Sequence, residues 1–165
     1  MIDEQALIRF VTEQRWFGSK TRQVAHGSVV DSVVLREGEP RLELQLVEIR
    51  FDTGTHETYQ LLVDDGGFDA LADPRQAREL VRLIRSGGRR EGGEGNVELA
   101  SIDGLSFGRE LSAARPIGGE QSNSSIVFDD ELILKVFRRL EAGINPELEL
   151  LRFLTERGFE NIARL

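Results

Sequence analysis

Apolar positions recur at helical spacing near the N-terminus. Leu7, Phe10 and Val11 share one face of a helix predicted from Asp3 to Phe17, and Gly18 offers a left-handed stop. The period then changes to two. Val29 to Leu35 is rich in β-branched residues, and Arg41 to Phe51 alternates through Leu42, Leu44 and Leu46. It then switches phase to Val47, Ile49 and Phe51, which predicts a bulge or a strand that changes sheet face. Asp52 to His56 reads as a turn and Thr58 to Val63 as a returning strand. One helix followed by a meander of about three antiparallel strands is the expected opening.

A second helix is announced by Asp73 as N-cap, Pro74 at the first helical position and Gln76 completing a capping-box pattern. Ala77, Leu80, Val81 and Ile84 line its face, and Gly87 ends it. The stretch Gly87 to Gly95, GGRREGGEG, contains five glycines and no apolar residue, and reads as a linker or mobile loop. A domain boundary here divides the chain into 1–88 and 89–165. Beyond it, Val97 to Ile102 and Leu105 to Phe107 flank an Asp103-Gly104 hairpin turn. Strands follow at Ala113 to Ile117, at Ser125 to Phe128 and, after an Asp129-Asp130 turn, at Glu131 to Phe137. Asn145 caps and Pro146 opens a last helix running to about Arg157, ended by Gly158. The expected class is α+β.

Composition narrows the function classes. At 39% hydrophobic and 30% charged over 165 residues, the chain is an ordinary globular protein with enough length to bury a core. Without cysteine there is neither a disulfide framework nor a thiolate metal site, which fits a reducing cytoplasm. The N-terminus lacks the apolar run of a signal peptide, and no segment approaches the roughly 18 apolar residues of a membrane span. A formal charge of −8 argues against nucleic acid or an anionic membrane as partner. His26 and His56 lie far apart without ligand-spaced companions, so no metal site is expected. Asp64-Asp65 and Asp129-Asp130 sit in turn contexts and read as solvated pairs.

Lysine is the informative residue. Of 21 basic residues only Lys20 and Lys135 are lysine, and a compact ammonium is not interchangeable with a guanidinium at a phosphate or a tight pair. Alternation through Glu131 to Phe137 puts Leu132, Leu134 and Val136 on one face and Ile133, Lys135 and Phe137 on the other. A lysine between apolar neighbours calls for an anionic partner, and Glu147 and Glu149 stand near the start of the following helix. Upstream lies PIGGEQSNSSIVF (Pro116 to Phe128), a glycine-containing loop between two strands. Taken singly, the loop is a turn, the lysine a snorkelling side chain, and the glutamates complements of a helix dipole. In this order they match the ATP-anchoring arrangement of a protein-kinase-like lobe. Trp16 and Phe17 read as a helix end packing on the sheet, whereas Lys20 suits either a helix cap or a reach toward the nucleotide lobe.

The segments EQSNSS, LILKVFRRLE and INPELEL followed by RFLTE closely resemble the nucleotide-binding lobe of actinobacterial maltokinases. These belong to the aminoglycoside-phosphotransferase-like branch of kinases. RWFGSK, from Arg15 to Lys20, resembles the motif opening that family's N-terminal cap. The resemblance implies a cystatin-like antiparallel cap with flanking helices over 1–88, followed by the start of a kinase-like N-lobe over 89–165. It implies transfer of the ATP γ-phosphate to maltose, giving maltose 1-phosphate, or to a sugar such as glucosamine in a relative. Gly119, Gln121, Ser122, Asn123, Ser124 and Ser125 then cover the phosphates, and Lys135 holds them. Glu149, with Phe153 packed beneath it, is the preferred helix partner of Lys135, and Glu147 the alternative. The catalytic aspartate, the Mg²⁺ ligands and the acceptor-sugar site are expected in a C-terminal lobe, because no H-x-D…N or D-F-G-like element occurs in these 165 residues. The chain alone is therefore expected to be inactive, with residues after Asn145 mobile or covered by a second copy. A non-catalytic interaction module is the competing expectation.

Overall fold

The computed structural model describes residues 3–100, 111–118 and 122–163. Helix α1 (Glu4–Glu13) opens on Asp3, whose carboxylate accepts from the Gln5 N–H at 3.1 Å. It ends earlier than the sequence predicts. The Gln14 N–H closes on the Val11 carbonyl, and Gly18 does not adopt a left-handed conformation. The physical reason lies in the next residues: Trp16 and Phe17 turn inward, each ring 5.6 Å from that of Tyr59.

Strands β1 (Val24–Arg36), β2 (Leu42–Phe51) and β3 (His56–Asp64) form the expected antiparallel meander. The β2–β3 register is unbroken, and the shifts fall in β1, as between Val29 and Asp31. The phase switch in β2 is thus a change of face. Leu42 and Leu44 pack on one side with Val33, Leu35 and Leu62, whereas Val47, Ile49 and Phe51 pack on the other with Leu7, Val11, Trp16 and Phe17.

β4 (Gly67–Phe68) folds back on β3, and a 3₁₀ turn (Ala70–Ala72) leads into α2 (Pro74–Ser86). Asp73 caps α2 by accepting from the Arg75 N–H at 2.8 Å, and Gly87 ends it at φ 68°. The capping box is not formed. Gln76 is buried, and its Nε2 donates to Asp64 at 3.0 Å, tying the helix to the end of β3. Asp64 is therefore a structural acceptor and not a solvated turn residue.

GGRREGGEG is not a linker either. β5 (Gly88–Glu91) pairs antiparallel with β6 (Asn96–Leu99), and the Gly92 N–H donates to the Gly95 carbonyl at 2.7 Å. Gly92 bridges to Val33 on β1, and the Asp31 carboxylate accepts from the Gly93 and Glu94 N–H groups at 2.8 and 3.3 Å. Burial alone would raise the Asp31 pKa, but these backbone donors and that of Ser32 outweigh it and hold the carboxyl below its ordinary range. The predicted Asp103-Gly104 turn and the Leu105–Phe107 strand lie outside the described residues.

β7 (Ala114–Pro116), β8 (Asn123–Phe128) and β9 (Leu132–Phe137) form a second antiparallel sheet. Asp129 and Asp130 turn between β8 and β9 with φ 50° and 57°. Asp129 accepts from the Ser112 hydroxyl and N–H and from the Ala113 N–H, so it anchors the entry to β7. After β9 the chain crosses directly to the first sheet. β10 (Arg139–Leu140) pairs with β3, placing Arg139 opposite Tyr59, and the sheet order becomes β1-β2-β3-β10. One buried cluster joins Leu71, Ala77, Leu80 and Val81 to Ile126, Phe128 and Val136, so the core runs across residue 88. Helix α3 (Pro146–Glu156) is capped by Asn145 and has no fully buried residue.

Candidate nucleotide site and the cap

Cross-strand register builds the site. Ser125 lies opposite Lys135, and Ser124 lies opposite Val136. Adjacent residues of a strand project to opposite faces, so Ser125 and Lys135 share the face away from the buried cluster that Val136 joins. The β9 side of that face is accessible, with Ile133 55% exposed, whereas Ser125 and Val127 on β8 are buried. Lys135 is thus partly exposed and not enclosed by its apolar neighbours.

The lysine has a defined anionic partner. Its Nζ donates to both carboxylate oxygens of Glu147, at 2.7 and 2.8 Å, and lies 5.3 Å from the Phe137 ring. The pair goes to Glu147 and not to Glu149, which corrects the preferred sequence assignment. The reason is local: Asn145 fixes the helix start by accepting from the Glu147 N–H at 2.9 Å, and the first turn then presents Glu147 to β9. Glu149 is exposed on another side of that turn. The Lys135–Glu147 bridge thus joins α3 to β9.

The other predicted residues divide between the two faces. Ser125 is buried beside Lys135, whereas the Ser124 hydroxyl accepts from Arg138 Nε at 2.8 Å. Asn123 is half-buried at the start of β8, and Ser122 is exposed just before it. Gly119 and Gln121 lie outside the described residues. Among the described residues no three His, Asp or Glu side chains converge on a point where a metal ion would sit.

Residues 10–82, which contain α1 from Phe10 onward, the β1–β3 meander and most of α2, match the family model of the maltokinase N-terminal cap domain. This segment is a maltokinase N-terminal cap domain. Asp69 and Trp16 of the maltokinase cap domain meet a residue outside it, Arg138, in a contact that the sequence did not lead us to expect. Arg138 is 1% exposed, and its Nη2 donates to the Asp69 carboxylate at 2.6 Å on the turn that leads into α2. Its guanidinium also stands 5.2 Å over the Trp16 ring. The signal was present: alternation places Arg138 on the same inward face as Val136. Around Tyr59 the cap gathers a second polar group. Glu57 accepts from the Tyr59 hydroxyl at 2.6 Å and from Ser19 at 2.9 Å, and pairs with Arg139 of β10 at 3.2 Å. Among the described residues no helix is long and apolar enough to cross a membrane.

Proposed function

We propose that this chain is the nucleotide-binding end of an ATP-dependent sugar kinase of the maltokinase type, acting on maltose or on a related sugar such as glucosamine. The observation that carries this reading is the two-pronged Lys135–Glu147 bridge, at 2.7 and 2.8 Å, in a chain that bears a maltokinase cap domain. The Lys135 ammonium holds the α- and β-phosphates as a point charge, and Glu147 fixes its position. Ser125 stands opposite Lys135, and the loop from Gly119 through Ser124 covers the phosphates. ATP supplies the phosphoryl group, and Mg²⁺ neutralises charge on its phosphates when bound. The residues of this chain bind and orient the nucleotide, while the catalytic aspartate, Mg²⁺ ligands and sugar pocket belong to a further lobe.

The test is a phosphorylation assay on the enzyme that carries this chain, with ATP, Mg²⁺ and a sugar panel including maltose and glucosamine. Lys135→Ala is expected to lower the rate by about 100-fold or more, because a fixed charge at the transferring phosphates is lost. An unchanged rate would sink the assignment.

A further inference from the structure

Ser124 ends the loop assigned to the phosphates, yet its side chain faces away from Lys135. It stands opposite Val136, one residue from the Ser125–Lys135 pair, so its hydroxyl projects to the other face of the sheet. There it accepts from Arg138 Nε at 2.8 Å, and the same guanidinium donates Nη2 to Asp69 of the cap at 2.6 Å. Asp69 is given over to this contact. It precedes the 3₁₀ turn at φ 64°, uncommon for a residue with a Cβ, and its carboxylate makes no capping bond.

The backbone after Lys135 is held from the same side. Gln60 of the cap, on β3, donates its N–H to the Arg138 carbonyl at 2.8 Å and its Nε2 to the Phe137 carbonyl at 2.7 Å. Both strands of the candidate site are thus tied to the cap, β8 through Ser124 and β9 at its end.

Adhesion does not account for this arrangement. An apolar cluster already joins the two halves, with Leu71 and Val81 on one side and Phe128 and Val136 on the other. A buried guanidinium adds little to that, because its desolvation offsets most of what its ion pair returns. A planar fork with acceptors on two different elements supplies a fixed distance and direction instead.

We propose that Arg138 is a positioning residue for nucleotide binding: held by Asp69 of the cap, it sets Ser124, and so the end of the phosphate loop, relative to Lys135. The cap thereby governs ATP binding through residues on the face away from the lysine. This rests on the nucleotide reading of Lys135. Its physical basis is that a binding group displaced by about 1 Å loses much of its contribution.

The test uses the enzyme that carries this chain, assayed with ATP, Mg²⁺ and its sugar well below the melting temperature of each variant. Ser124→Ala and Arg138→Met are each expected to raise the KM for ATP about tenfold and to leave the KM for the sugar in place. Asp69→Asn, which keeps an acceptor but removes the charge, raises the KM for ATP in the same direction. Ser124→Ala made in the Arg138→Met background adds no further loss, because the bond it removes is already gone. If Arg138→Met does not fold, Ser124→Ala combined with Asp69→Asn gives the same reading, as a double variant short of additive. A Ser124 hydroxyl that met the phosphates directly would give additive losses and a native KM for ATP in Asp69→Asn, and either result overturns the proposal. Lys135→Ala, measured alongside, separates the two ways of failing. If it loses activity while the other variants keep the native KM for ATP, the positioning role falls and the nucleotide reading stands. If it keeps the native rate, the nucleotide reading falls and the positioning role falls with it.

Discussion

The guanidinium of Arg138 donates to the Asp69 carboxylate at 2.6 Å, linking the residue after β9 to the turn before α2. Arg138 is 1% exposed, so its charge depends on that partner. Asp69→Ala leaves a buried guanidinium uncompensated and is expected to destabilise the protein by about 3–5 kcal/mol. Arg138→Met, which removes the charge and keeps much of the volume, is expected to cost less. Equilibrium urea unfolding of both variants checks the order, and equal losses would count against a buried ion pair.

The Lys135–Glu147 bridge has the opposite profile. Both side chains are partly exposed, at 30% and 43%, so the pair is worth at most about 1 kcal/mol to folding. Glu147→Gln is therefore expected to leave thermal stability almost unchanged while weakening ATP binding, and Glu149→Gln to alter neither. Calorimetric titration of the three proteins with ATP decides between the two glutamates.

Gly92 is held against β1 more closely than any side chain allows. A Cβ there would lie 2.6 Å from Val33 Cγ2 and 3.1 Å from the Ser32 carbonyl oxygen. Gly92→Ala is expected to cost about 1–3 kcal/mol by pushing the β5–β6 hairpin off Val33. Gly95→Ala, whose nearest contact would be 3.9 Å from Asp31, serves as the mild control. Hydrogen exchange of the Gly93 and Glu94 amides, which Asp31 accepts, should rise in the first variant only.

Tyr59 gives an alkaline signature. Burial pushes its phenol above the ordinary 10.0, and the hydrogen bond to Glu57 pushes it further. The folded state therefore keeps a proton that the unfolded chain releases. The resulting stabilisation is complete below pH 10.0 and is lost as pH rises through the folded value. Tyr59 is the only tyrosine, so ultraviolet titration reads it directly. No phenolate should form at pH 10.0 before unfolding begins. An ordinary titration in the folded protein would contradict the buried Tyr59–Glu57 contact.

The helices, the meander and the Lys135 strand were legible because each rests on local signals: a cap, a period or a turn dipeptide. The β5–β6 hairpin was not, because GGRREGGEG has no apolar residue and its anchor, Asp31, lies 62 positions away from Gly93. β10 was missed for a related reason. Two residues are too few to show a period, and their pairing with Thr58 and Tyr59 is set by the fold. Glu147 and Glu149 were inseparable in sequence, since the choice depends on where Asn145 points the first turn of α3 relative to β9. The inward position of Arg138 was readable from its spacing to Val136.

Both margins of the cap sheet are finished by residues that follow α2. β10 runs along β3, and Gly92 bridges Val33 on β1. A cap excised after Ser86 would keep the helix and the meander but present two unpaired strand borders, and it would expose the Leu71–Val81 surface that Ile126, Phe128 and Val136 cover. Such a piece is expected to associate through those borders and not to remain a stable monomer. The sheet that carries the family resemblance thus takes its margins from the half that carries the lysine.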